Sequence, residues 1–256
     1  MKKLAFIATA ALAATQLFAV PGSISTANDT KSGDIKWNSR SKVYEVAIKK
    51  GKAVMNTEVP LADMTSLDIP KPAMLDKAVE MVQSGKGAAA IAPLTKIVAD
   101  YKMLVWDKPA GRWLVEAYLA ANNAQKALDT ANQIASDDPT AKFSGDLAPA
   151  YWHALMKTGK TQQLENCLRK AASCGSRPAS ADALIMRGDM ILAGDESNPD
   201  KIRAALTDGY LRVALMYTDE PCKGQRQTAM LRAAKCFSTL GQASRAEDLK
   251  SKANAL

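Results

Sequence analysis

The chain is poor in histidine, in aromatics and in closely spaced cysteines, and each shortage removes a class of function. His153 is the only histidine in 256 residues, which excludes metal sites and catalytic pairs that need two imidazoles. Phe, Tyr and Trp make up 5% of the chain, too few for a row of stacking platforms along nucleic acid. The four cysteines form no C-x-x-C pair, so no zinc site is expected, and nothing in the chain calls for a cofactor. No cysteine lies near the N-terminus, which rules out a bacterial lipoprotein anchor. The apolar run over residues 4–19 falls short of the roughly 20 residues that span a bilayer.

Charge and core are well supplied. Lys and Arg number 34 against 26 Asp and Glu, a formal charge of +8, and 47% of residues are hydrophobic, enough for a sizeable core. The basic residues are spread along the chain with acids between them, unlike the clustered face of a nucleic-acid binder. The one dense patch, Lys49-Lys50-Gly51-Lys52, reads as a solvated hairpin turn. Nucleic acid is therefore not expected as a partner, while an anionic polysaccharide or lipid surface stays open for this basic segment.

Residues 1–27 have the layout of a secretory signal: Lys2 and Lys3, an apolar run, then Pro21-Gly22. Ser25-Thr26-Ala27 is the better small-x-small cleavage match; Leu17-Phe18-Ala19 fits less well because Leu17 is bulky. The mature chain is expected to be periplasmic or secreted, with no membrane span. An oxidising compartment favours disulfides among Cys167, Cys174, Cys222 and Cys236, for which three connectivities exist. Cys167 and Cys174 sit on one predicted helix, about 10 Å apart by helical rise. They cannot pair with each other while it holds, so cross-pairing to Cys222 and Cys236 is expected.

Residues 28–70 read as a small β-rich module. Ile35 and Trp37 alternate in one run, and Tyr44, Val46 and Ile48 in another. Three or four short antiparallel strands are expected, with residues 66–71 as an extended joint. From Pro72 to the end the period becomes 3.6. Short breaks at Ser84-Gly85, Asn122-Asn123, Thr158-Gly159, Gly194-Asp195 and Leu240-Gly241 alternate with longer joints, so the helices come in hairpins. Pro93 interrupts one of them, and a helix starting near Ala90 would place it harmlessly in the first turn.

Superposing the hairpins reveals a repeat. Large residues recur at Met81, Tyr118, Leu155, Ile191 and Phe237, spaced 37, 37, 36 and 46 apart. Nine positions later come Ala90, Ala127, Leu164 and Ala246. This spacing resembles the tetratricopeptide repeat, whose period is about 34. Leu114, Tyr118, Ala127 and Pro139 match that family's apolar, aromatic, small and closing-proline positions. Trp152, Leu155, Gly159, Leu164 and Ala171 form another copy, and Ala234, Phe237, Gly241 and Ala246 the last. The copy around Gly188 departs from the pattern, with Arg187 where Leu is usual and an insertion at residues 196–201 before a long second helix ending near Tyr217. The resemblance implies a mainly α chain over residues 72–256: an α-solenoid of about five tetratricopeptide-like hairpins, preceded by the small antiparallel β module. The alternative is an irregular helical bundle.

Most tempting motifs fail on chemistry. Lys157-Thr158-Gly159-Lys160-Thr161 ends like a phosphate-binding loop, but Ala154 stands where that loop needs its first glycine. His153 has no acid or nucleophile within helical reach, and reads as a helix-face histidine touching solvent or ligand. Asp137-Asp138 and Asp195-Glu196 fit caps and solvated turns; Met186, Met190 and Met216 fall at core spacing. The family likeness implies instead a groove lined by the first helices, which takes peptide through positions one turn from the anchors. On this chain these are Arg112, Glu116, His153, Lys157, Asp189 and Lys235. Their mixed signs suit a polypeptide. A non-enzymatic protein-binding scaffold of the bacterial cell envelope is the expected function. A carbohydrate- or anionic-surface-binding accessory protein using the basic β module, an envelope enzyme subunit, and self-association through the groove or strand edges are the alternatives. An intact pair of His and acid lining a deep pocket would favour the enzyme.

Overall fold

The computed structural model describes residues 19–256, so most of the expected export signal lies outside the described residues. The chain is mostly helical with one small antiparallel sheet. Among the described residues no helix is long and apolar enough to cross a membrane. Contacts divide the chain into two units: the described residues up to Pro70 with Ala99–Leu104, and Lys71–Val98 with Val105–Leu256.

The first unit is a five-stranded sheet of β1 (Val20–Thr26), β2 (Thr30–Asn38), β3 (Val43–Lys50), β4 (Ala53–Pro60) and β5 (Met64–Asp68). The order is β4-β3-β2-β1-β5, and every neighbouring pair is antiparallel. Period-two patterning puts Ile35 and Trp37 of β2, and Tyr44 and Val46 of β3, in the core beside Ile24 of β1. Trp37 lies directly opposite Tyr44 with ring centroids 4.9 Å apart. The Tyr44 hydroxyl donates to the Met103 carbonyl at 3.1 Å, which ties residues 99–104 to the sheet. On the polar face Lys36 pairs with Glu45, the residue opposite it, at 2.8 Å.

Two boundaries differ from expectation. The sheet begins at Val20, seven residues before Ala27, so β1 occupies positions assigned to the export signal. Residues 66–68, expected in an extended joint, belong to β5. Pro21 and Gly22 suggested a turn, yet a strand tolerates both here. Pro21 is exposed, and Gly22 runs so close to β5 that a Cβ would come within 2.7 Å of the Asp68 carbonyl oxygen.

The second unit holds α1 (Leu75–Gln83), most of α2 (Gly87–Asp100), α3 (Asp107–Ala120), α4 (Ala124–Ile134), α5 (Leu147–Lys157), α6 (Thr161–Ser173), α7 (Arg177–Leu192), α8 (Pro199–Ala205), α9 (Leu211–Met216), α10 (Lys223–Thr239) and α11 (Ala243–Asn254). A π turn, Leu206–Tyr210, joins α8 to α9 and makes them one long bulged helix. Four first helices close identically. The backbone N–H of Lys86, Asn123, Lys160 and Gln242 donates to the carbonyl of Met81, Tyr118, Leu155 and Phe237, at 2.8 to 2.9 Å. A residue of positive φ just before each donor (Gly85, Asn122, Gly159 or Gly241) makes the reversal that this closure requires. Four of the five recurring large residues, Ile191 excepted, are thus the carbonyl acceptors that end a first helix, and Gly159 serves such a turn rather than a phosphate loop.

Nine residues past those anchors, Ala90, Ala127, Leu164 and Ala246 are buried. Side-chain caps restart the chain after breaks: Asn123 accepts from the Lys126 N–H at 3.2 Å, and Asn198 from those of Asp200 and Lys201. Helix α3 packs on α4 and α5, α5 on α6 and α7, and α10 on α7, α9 and α11. One apolar cluster runs from Val115 through Trp152, Leu155, Leu164 and Leu168 to Met186; a second gathers Ile185, Ile202, Leu206, Tyr210, Val213 and Cys236.

Helix α2 starts at Gly87, three residues before the expected start, and carries Pro93 inside it. The hydrogen bond that proline removes would have been accepted by the carbonyl of Ala89, an exposed residue, so the loss falls on the solvent side of the helix. Cys167, Cys174, Cys222 and Cys236 stand unbridged in the structure. Cys167 packs against the first apolar cluster while Cys236 belongs to the second.

Candidate functional site

Helices α3, α5, α7 and α10 are the first members of four consecutive hairpins, and together they line two adjoining cavities of about 580 and 570 Å³. Glu116, His153, Asp189 and Arg232 border both. Each helix contributes through residues one or two turns apart on a single face: Arg112 and Glu116 from α3, His153 and Lys157 from α5, Asp182 and Asp189 from α7, Arg232 and Lys235 from α10. All six sequence-selected positions therefore lie on these two cavities: five line the first, and Arg112 the second.

His153 is not the acid-free residue expected from its own helix. Its Nδ1 lies 3.0 Å from Glu116 Oε1, and its Nε2 3.7 Å from Asp189 Oδ2. Both acids come from neighbouring helices, which one helix's sequence cannot reveal. Burial works against the charged imidazole, but the bonds and charges of Asp189 and Glu116 outweigh it and raise its pKa to about 9. His153 is therefore a cation at neutral pH, already holding the proton a general base would have to accept.

Asp189 is the hub. It is only 9% exposed at the side chain and takes the Arg232 guanidinium, the Tyr210 hydroxyl at 2.7 Å and the imidazolium. Tyr210 comes from the π turn, where Gly209 packs against Gly188 of α7; a Cβ on Gly209 would come within 2.9 Å of the Leu184 carbonyl oxygen. A Cβ on Gly188 would stand 2.5 Å from the Tyr210 ring. Two glycines and an extra residue in the helix thus bring the phenol to Asp189. Burial first, then the Asp189 charge, holds that phenol protonated far above the ordinary tyrosine range.

The sequence reading missed Asp182, Arg232 and Tyr210. Arg232 lies one turn before Lys235 and was legible in principle; Tyr210 reaches the site only through the π turn. Asp182 accepts from Gln225 Nε2 at 3.2 Å, and burial pushes its carboxyl up to about 6, against the pull of Gln225 and Arg112. The first cavity has an apolar floor of Leu119, Met156, Leu192 and Ile202, with Cys236 beside it. Burial raises the Cys236 thiol, the reverse of what a nucleophile needs. At the rim Lys235 bonds Glu196 at 2.7 Å. Among the described residues no group of histidine, cysteine, aspartate and glutamate is placed to hold a metal ion.

No protein-family model matches the chain, and no curated protein matches it. Among solved structures, a kinesin light chain-like protein of Podosopora anserina with nearly identical TPR-like repeats is 15% identical over 72% of this chain and 92% of its own, with a TM-score of 0.40. MamA of strain AMB-1 is 16% identical over 72% of this chain and 96% of its own, with a TM-score of 0.37. Likeness this slight leaves the functional reading to the chain's own geometry.

Proposed function

We propose that the helical unit is a tetratricopeptide-like solenoid whose concave face binds a polypeptide segment, and that the protein is a non-enzymatic scaffold of the bacterial cell envelope. The observation that carries the reading is the shared lining. The first helices of four successive hairpins, three of them (α3, α5 and α10) closed by one recurring backbone geometry, present their polar face to two adjoining cavities. Stacked helical hairpins make such continuous surfaces. The apolar floor suits an apolar side chain, and the rim, with Lys157, Lys235 and Glu196, suits flanking charges of both signs. The His–acid pair that would favour an enzyme is present in Glu116–His153–Asp189, but its imidazole already holds a proton and its charges are spent on one another and on Arg232, which supports binding over catalysis.

Photo-crosslinking in cells tests this. A photoreactive residue replacing Lys157 or Lys235 is expected to capture a polypeptide, and one replacing exposed Lys252 on α11 is not. The Arg112→Glu, Lys235→Glu double variant is expected to lose the groove-specific product. Equal capture from all three positions, or a double variant that keeps every product, would overturn the reading.

A further inference from the structure

We infer that the chain is processed at the Ala19–Val20 bond, not after Ala27, so that the mature protein begins at Val20. This rests on the export reading proposed above and adds the bond at which export is completed. Strand β1 lies inside the sheet, with β2 on one side and β5 on the other. Six of its residues face β2, from Val20 opposite Ile35 to Ser25 opposite Thr30, and four face β5. Ile24 is fully buried and Val20 nearly so.

A cut after Ala27 would remove all of this. Strand β5 has no other neighbour in the sheet and would be left unpaired, with the facing N–H and C=O groups of β2 and β5 orphaned together. Ile35, opposite Val20 in the register, would lose its cover. Ser25, which the cleavage pattern would place at its key small position, is bonded across the hairpin to Thr30 Oγ1 at 2.9 Å. A cut at Ala19–Val20 removes no strand residue. Ala19 is exposed and carries the small side chain that signal peptidases require next to the scissile bond, and the new ammonium forms where the strand starts. The step is hydrolysis: the peptidase adds water across the amide, leaving a carboxylate on Ala19 and an amine on Val20. The bulky Leu17 that weakened this site by sequence pattern is outweighed by the strand that the other site would destroy.

The full-length chain, expressed in a bacterium with an export pathway and recovered from the envelope fraction, gives the test by intact mass and N-terminal sequencing. The expected first residues are Val-Pro-Gly-Ser. Ala19→Arg is expected to reduce processing at least tenfold, while Ala27→Arg leaves it unchanged. A mature chain beginning at Asn28, or processing blocked by Ala27→Arg alone, overturns the inference and leaves export standing. An unprocessed chain confined to the cytosol overturns both. As a check on the physical premise, a chain starting at Asn28 is expected to unfold at lower urea than one starting at Val20; equal midpoints would count against the inference.

Discussion

Replacing His153 by glutamine removes a cation held between two carboxylates while keeping a polar side chain of similar reach. The imidazole is raised from 6.5 to about 9, and its side chain is 26% exposed, so the shift is worth about 3 kcal/mol at about 1.4 per unit. The folded chain keeps a proton that the unfolded chain releases between those two values. Stability from this group is therefore complete below pH 6.5 and is lost as pH rises through 9. The groups facing it are Glu116 from α3, Asp189 from α7 and, behind Asp189, Arg232 from α10. Urea unfolding of both proteins from pH 6 to pH 10 should show the wild type ahead by about 3 kcal/mol at pH 6, with the gap closing by pH 10. Taking the difference cancels other groups that titrate in the same window. An NMR titration of the single imidazole supplies an independent midpoint near 9. A gap that does not change with pH, or an imidazole titrating near 6.5, would refute the reasoning.

Asp182→Asn should remove the opposite liability: the wild type loses stability as pH rises from 3.8 through about 6, and the variant should not, so it gains on the wild type at pH 7 in the same unfolding assay. Gly188→Ala should lower stability by about 1–3 kcal/mol, because its methyl group displaces the Tyr210 ring from α7; a circular-dichroism melt reads the loss. Asn198→Ala deletes the side chain that caps α8 and should cost about 1 kcal/mol, visible as a lower thermal midpoint.

The hairpins were legible before any coordinates because their cause is local. A residue able to take positive φ sits at a fixed distance behind a large anchor, and the apolar period follows from helical geometry. The groove face was implied only by the tetratricopeptide resemblance; Glu116, His153, Asp189 and Lys235 each stand two residues before an anchor, about 200° round the helix from it. Alternation in β2 and β3 was as direct as the hairpins. Strand β1 was not, since Val20–Thr26, carrying Pro21-Gly22 just after an apolar run, looks the same in sequence whether it is discarded or paired. Pro93 misled because whether a helix survives a proline depends on the exposure of one carbonyl.

By itself the amino-acid order determined the period, the breaks and which side of each helix is apolar, all set by interactions within a few residues. Tertiary structure alone decided the partners of His153, the route by which Tyr210 reaches Asp189, and the inner place of β1 in its sheet. Each depends on groups distant in the chain, and the energies that join them arise only when burial excludes water from both.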